Sequence, residues 1–82
     1  MLGLISLNYK IAPVKIREIF YIYPDEYQII FNEINSKITL KGLFIISTCN
    51  RTELYFETSE NQANSKKIYH SVIMSLSRLK KF

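Results

Sequence analysis

Little in this 82-residue chain can crosslink or clamp: it has one cysteine (Cys49), one histidine (His70), two glycines, two prolines and no tryptophan. One cysteine excludes a disulfide within the chain, and a single histidine leaves no zinc-type ligand set. Gly3 and Gly42 stand far apart, so no glycine-rich phosphate loop and no dinucleotide fingerprint is present. No apolar run approaches the ~18 residues needed to span a bilayer. The opening MLGLISLNYK lacks the basic start, apolar centre and cleavage site of a signal peptide. Without a secretion signal, the glycosylation pattern Asn50-Arg51-Thr52 carries no weight. The expected setting is cytoplasmic and reducing.

What is present fits a single globular domain spanning residues 1–82, with 48% hydrophobic and 22% charged residues. A chain this short buries only roughly 60% of its unfolded surface, so its stability is expected to be marginal. The net charge of +4 tolerates an acidic partner, nucleic acid included, without demanding one. Basic residues are scattered except for Arg78, Lys80 and Lys81. That group reads either as a patch or as a solvated helix end, where cations are favoured.

The periodicities predict an α+β fold of order β-α-α-β-β-α. Leu2 to Tyr9 reads as a buried strand, and Pro13 stands where a helix begins. Ile16, Ile19, Phe20 and Tyr23 recur at helical spacing, giving a short helix from Val14 to Ile22 that Pro24 interrupts. Pro24-Asp25-Glu26 then starts a second helix with the stripe Tyr27, Ile30, Phe31 and Ile34, closed at Asn35-Ser36-Lys37. The unbroken run from Leu43 to Thr48, opened by Gly42, suits a strand covered on both faces. From Thr52 to Thr58 the pattern alternates, with Leu54 and Phe56 inward and Glu53, Tyr55 and Glu57 on a wetter face. A tight hairpin is expected between these strands, with Asn50 tolerant of positive φ. After a polar loop, Lys66 to Phe82 forms a helix with Ile68, Tyr69, Val72, Ile73, Leu76 and Leu79 on one face and His70 on the other. No Gly, Asn or Pro signal closes it. The helices should pack on one face of a small antiparallel sheet, an incomplete ferredoxin-like unit that needs a further strand.

The hairpin carries the chemistry-bearing residues. Cys49 reads as a small hydrophobe at a strand end, or as a nucleophile that has left the apolar run for a polar turn. Arg51 two residues on, together with free turn amides, would favour the attacking thiolate. Asn50 could donate to an oxyanion or shape the turn. Arg51 offers a planar fork for carboxylate or phosphate, or else a solvated partner for Glu53. No base is in view, because His70 falls on a remote helix face. Tyr9, Lys10 and Arg17 could touch RNA, although scattered surface residues explain them as well. Tyr21, Tyr23 and Tyr27 read as packing between the two short helices.

Taken together, Ser47-Thr48-Cys49-Asn50-Arg51-Thr52-Glu53-Leu54-Tyr55 resembles the signature of the glutamyl-tRNA reductases. Upstream, Leu7-Asn8-Tyr9-Lys10-Ile11-Ala12-Pro13-Val14-Lys15-Ile16-Arg17-Glu18 is similar to that family's opening motif, in order and at the correct distance. It departs at Tyr9, where His is common, and at Ile11, where Thr is common.

The resemblance implies an N-terminal fragment of a catalytic domain. The implied reaction is NADPH-dependent reduction of glutamyl-tRNA to glutamate-1-semialdehyde, the first step of tetrapyrrole synthesis by the five-carbon route. It implies Cys49 as the catalytic nucleophile that forms a thioester, with Thr48, Cys49, Asn50 and Arg51 holding substrate. NADPH would be bound by a domain this chain lacks, as would the dimerisation domain of the family's homodimer. The acid–base partner of Cys49 would lie beyond Phe82, and the product would pass to glutamate-1-semialdehyde aminomutase. The fragment alone is expected to be inactive in the full reaction. The competing readings are a stand-alone tRNA- or protein-binding module and a redox-sensing thiol.

Overall fold

A computed structural model describes all residues, Met1–Phe82. Three strands and three helices follow the expected order: β1 (Leu2–Asn8), α1 (Val14–Ile19), α2 (Tyr27–Asn35), β2 (Leu40–Ser47), β3 (Arg51–Thr58) and α3 (Ser65–Leu79). All strand pairs are antiparallel and the spatial order is β1-β3-β2, consistent with an α+β, incomplete ferredoxin-like unit. β3 is therefore central, and its alternation places Leu54 and Phe56 in the core while Tyr55 and Glu57 face out.

The helices cover one face. Ile30 and Ile34 of α2 and Ile68, Val72 and Leu76 of α3 are buried against Leu40, Leu54 and Phe56. Gly3 is fixed by this packing: a Cβ there would sit 2.2 Å from the Phe56 ring, whose residue lies directly across the strand pair. Only a residue without a side chain leaves that ring its place.

β2 corrects one expectation. Its apolar run is not covered on both faces, because the helices pack on one face only and Phe44, on the other, is 62% exposed. Leu2, Leu4, Phe44 and Tyr55 lie exposed on the face away from the helices. β2 also begins earlier than expected, at Leu40, with a bulge before Gly42.

The helix ends differ from expectation as well. α1 stops at Ile19 with Phe20 as its cap, so Ile19 and Tyr23 are exposed while Phe20 and Ile22 are buried in the following loop. Pro24–Glu26 forms a tight 3₁₀ turn that leads into α2. α3 ends at Leu79 and is capped after all. Lys81 adopts φ 56°, its amide donates to the Arg78 carbonyl, and the Phe82 amide reaches the Ser77 carbonyl at 2.9 Å. This is a Schellman closure with lysine in the position glycine usually takes, and the Phe82 ring rests edge-on against Phe20 at 5.2 Å.

The basic group on α3 is not a patch. The Lys80 side chain is only 9% exposed and donates to the Tyr21 carbonyl at 2.6 Å and to both Glu26 carboxylate oxygens at 2.8 and 2.9 Å. Arg78 pairs with Glu33 at 3.0 Å. Two of the three cations thus tie α3 to the segments around α2.

Candidate functional site

The β2–β3 hairpin closes with two residues, Cys49 and Asn50, between Thr48 and Arg51. Thr48 organises it: its amide donates to the Arg51 carbonyl at 2.8 Å. Its hydroxyl oxygen accepts from the amides of Asn50 and Arg51 at 3.2 and 3.3 Å. A threonine side chain standing in for a backbone acceptor is a recurrent turn device. The hairpin needs no left-handed residue, so the expected use of Asn50 for positive φ is corrected. Asn50 contributes its carbonyl, which accepts from the Tyr9 amide at 2.9 Å.

That bond joins the tip to the β1–α1 connection. Asn8 shapes the connection, with its side-chain oxygen accepting from the Lys10 amide at 2.9 Å and its carbonyl from the amides of Ile11 and Ala12. The chain then turns at Pro13 into α1. Val14, Arg17 and Glu18 share one face of α1, Tyr21 follows in the loop after it, and this side of the chain meets the tip. With Tyr23, Thr48, Cys49 and Asn50 they line a groove of about 680 Å³. Such a volume lies within the about 300–1,000 Å³ typical of ligand sites.

A buried chain of hydroxyls sets the distance between groove wall and hairpin. The Ile22 amide donates to Ser47 Oγ at 2.9 Å, Ser47 and Thr52 hydroxyls meet at 2.9 Å, and Thr52 Oγ1 donates to the Phe20 carbonyl at 3.0 Å. Because the Phe20 carbonyl can only accept, the proton directions are fixed along the whole chain. Ser47 and Thr52, which flank the tip in sequence, therefore hold the loop that carries Tyr21 and Tyr23.

Cys49 is exposed and unpaired, so the reading of it as a core hydrophobe is corrected. Its cationic neighbour in the groove is Arg17. One guanidinium arm donates to the Cys49 carbonyl at 3.2 Å, and Arg17 Nε is buried without a partner. Arg51 does not line this groove. It lies in register opposite Asn8, on the strand face of Glu53, and its Nε sits 3.5 Å from the Glu53 carboxylate. Glu53 also accepts from Ser6 Oγ at 3.2 Å and from the Tyr55 hydroxyl at 3.0 Å. The Tyr55–Glu53 hydrogen bond, helped by some burial and the Glu53 charge against the opposing pull of Arg51, pushes the Tyr55 hydroxyl above its ordinary range.

Of the four expected site residues, then, Thr48, Cys49 and Asn50 share one groove while Arg51 engages Glu53 beside it. Tyr21 and Tyr23 do not fill the space between the short helices. They pack edge-to-face at 4.8 Å and form a wall of the groove. His70 lies on the exposed side of α3 and takes no part in the groove. In the sequence Arg17 reads as an RNA contact or a scattered surface charge, and Glu18 only as the last residue of the upstream motif. The signal that places them is the spacing of Val14, Arg17 and Glu18, which sets all three on the side of α1 that lines the groove.

The N-terminal domain of glutamyl-tRNAGlu reductase matches residues 5–81. The chain belongs to that family. A glutamyl-tRNA reductase of Desulfitobacterium hafniense is 45% identical over 56 residues, covering 68% of this chain and 13% of that protein. Another, from Sulfurihydrogenibium, is 43% identical over 56 residues, again 68% of this chain and 13% of its own. A third, from Clostridium beijerinckii, is 40% identical over 70 residues, covering 84% of this chain and 17% of its own. The chain thus spans less than a fifth of the length of these reductases. As a member of the N-terminal domain family it contains the hairpin tip and the α1 face within the matched segment. No helix in it is long and apolar enough to cross a membrane.

Proposed function

We propose that this chain is the nucleophile-bearing part of a glutamyl-tRNA reductase catalytic domain, serving the first step of tetrapyrrole synthesis. The observation that carries the reading is Cys49, exposed on a rigid hairpin tip and opening into a groove with an arginine anchored beside it. A thiol so placed suits acyl transfer. Sγ adds to the carbonyl carbon of the glutamyl ester, the bond from that carbon to the ribose oxygen breaks, and the released hydroxyl takes the thiol proton. The glutamyl group is left on sulfur as a thioester. Thr48 keeps the turn in shape, Asn50 forms its outer edge, and Arg51 is the partner for the glutamate side-chain carboxylate once it exchanges Glu53 for substrate.

The reduction of the thioester to glutamate-1-semialdehyde belongs to other parts of the protein. Gly3 packs under Phe56 and Gly42 lies within β2, so neither glycine forms a phosphate cradle. The NADPH reading therefore rests on the family, as do the homodimer and the hand-over of aldehyde to glutamate-1-semialdehyde aminomutase. A free exposed thiol fits a reducing cytoplasm.

The test is the acyl-transfer half-reaction. Incubation with glutamyl-tRNA should add one glutamyl group to Cys49 by intact mass, reversibly with hydroxylamine, and Cys49→Ser should abolish it while leaving RNA binding. Binding with no acylation, in this chain and in the full-length protein alike, would favour the stand-alone binding module.

A further inference from the structure

If Cys49 accepts a glutamyl group from RNA, the ester carbon must reach Sγ while still bonded to the ribose of the terminal nucleotide. That nucleotide's base and phosphate then lie within one nucleotide's length of the sulfur. We infer that the groove between α1 and the hairpin tip is the seat of this terminal nucleotide, with Tyr23 stacking on the base and Arg17 holding the phosphate. The inference rests on the acyl-transfer reading and adds to it a subsite for the RNA end.

The groove has the parts such a ligand needs. Tyr23 is 59% exposed, and Tyr21 packs edge-on against it, steadying the ring while leaving a face free. Stacking on such a ring is how unpaired nucleotides are held, without regard to sequence. Arg17 is fixed by one guanidinium arm on the Cys49 carbonyl and pairs with no carboxylate, so the positive charge of its fork is left uncompensated beside the groove. A guanidinium so placed, set rigidly beside a thiol, matches a phosphate oxygen pair. Glu18 lines the same groove. Its carboxylate only accepts, which suits a ribose hydroxyl or an exocyclic amine and not a second phosphate. Arg51, engaged on the strand face with Glu53, stays available for the amino acid. The two arginines thus divide the substrate, one on each side of Cys49.

The experiment uses a deacylated RNA minihelix with an unpaired 3′ end, and the same RNA lacking only its terminal nucleotide. The protein should bind the longer RNA about five- to hundredfold more tightly, the range of one stacked base. Tyr23→Ala should erase that difference, and Tyr23→Phe should keep it. Arg17→Gln should weaken the longer RNA alone, and Arg17→Lys should restore part of the loss. Should Arg17→Gln unfold the chain, the Arg17→Lys and Tyr23 variants carry the test. Equal binding of the two RNAs, or a Tyr23→Ala protein that still distinguishes them, overturns the inference. Glutamyl transfer to Cys49, read separately by intact mass, keeps the two proposals apart. Transfer without end-recognition defeats only this subsite, whereas end-recognition without transfer defeats only the nucleophile.

Discussion

The guanidinium of Arg17 and the carbonyl of Cys49 meet at 3.2 Å although 32 positions separate them in sequence. The bond fastens the only helix face that lines the groove to the tip that carries the thiol. Around it the turn is held twice more, by the Thr48 hydroxyl on the inside and by the Tyr9 amide on the Asn50 carbonyl outside. A nucleophile set this way has little freedom to wander from an attacking geometry.

Thr48→Val tests that constraint. Valine keeps the shape but removes the acceptor of two turn amides. Because the turn is exposed and water can replace part of the loss, the stability cost should be about 0.5–1.5 kcal/mol. Amide exchange at Asn50 and Arg51 should accelerate, and glutamyl transfer to Cys49 should slow roughly tenfold or more. Thr48→Ser should restore both. Hydrogen exchange by NMR and intact-mass kinetics read the two effects.

Thr52→Val addresses the buried hydroxyl chain. Thr52 is 5% exposed, and its loss leaves the Phe20 carbonyl without its hydroxyl donor and the Ser47 hydroxyl without an acceptor. Unpaired buried groups of this kind cost about 1–3 kcal/mol. Denaturant titration should show a lower midpoint with an unchanged slope. An unaffected midpoint would mean that the chain does not support the groove wall.

Local patterns made the frame legible, and distant pairings hid the site. Leu54 and Phe56 were assignable to the core because a strand alternates, and Ile30 and Ile34 because a helix repeats. β2 misled because an apolar run says that side chains are greasy, not that something covers them, and Phe44 stays open. Lys80 looked like one of three surface cations, since nothing in its neighbourhood shows that Glu26 waits 54 residues away. The cysteine tip was legible as a motif, but which arginine enters the groove was not. Arg51 is near Cys49 in sequence and turned toward Glu53 by the strand's alternation, whereas Arg17 arrives only when α1 packs beside the hairpin. The α3 cap was missed for a simpler reason: lysine takes a backbone conformation for which glycine is the usual signal.

Gly3→Ala puts the β1–β3 packing to the test. The added methyl would overlap the outer atoms of the Phe56 ring, which is 2% exposed and packed in the core cluster. Overpacking of this kind costs about 1–3 kcal/mol. Trimming the ring in Gly3→Ala/Phe56→Leu should recover part of the loss, so the double variant should be more stable than the two single costs predict. Additive costs from thermal melts would show that the clash is relieved elsewhere.

The Glu26–Lys80 pair gives a pH dependence whose sign can be worked out. Burial of Glu26 acts to raise its carboxyl, but the Lys80 hydrogen bonds, the Tyr23 amide at 2.8 Å and the Lys80 charge together outweigh it and lower the group below its ordinary 4.5. A folded-state value below the unfolded one means that the unfolded chain binds the proton more readily. The pair's contribution is therefore complete above the unfolded value and is lost as pH falls through the lowered folded one. Glu26 is one-third exposed, so solvent screening trims the charge contribution, and the nearly buried Lys80 ammonium carries most of the cost when its partner is removed. Glu26→Gln should thus destabilise the protein by about 1–2 kcal/mol at neutral pH. The deficit relative to wild type should shrink as pH falls from 5 toward 3. Chemical denaturation at a series of pH values reads this directly, and a deficit that stays constant across that window would show that the carboxylate is not what anchors Lys80.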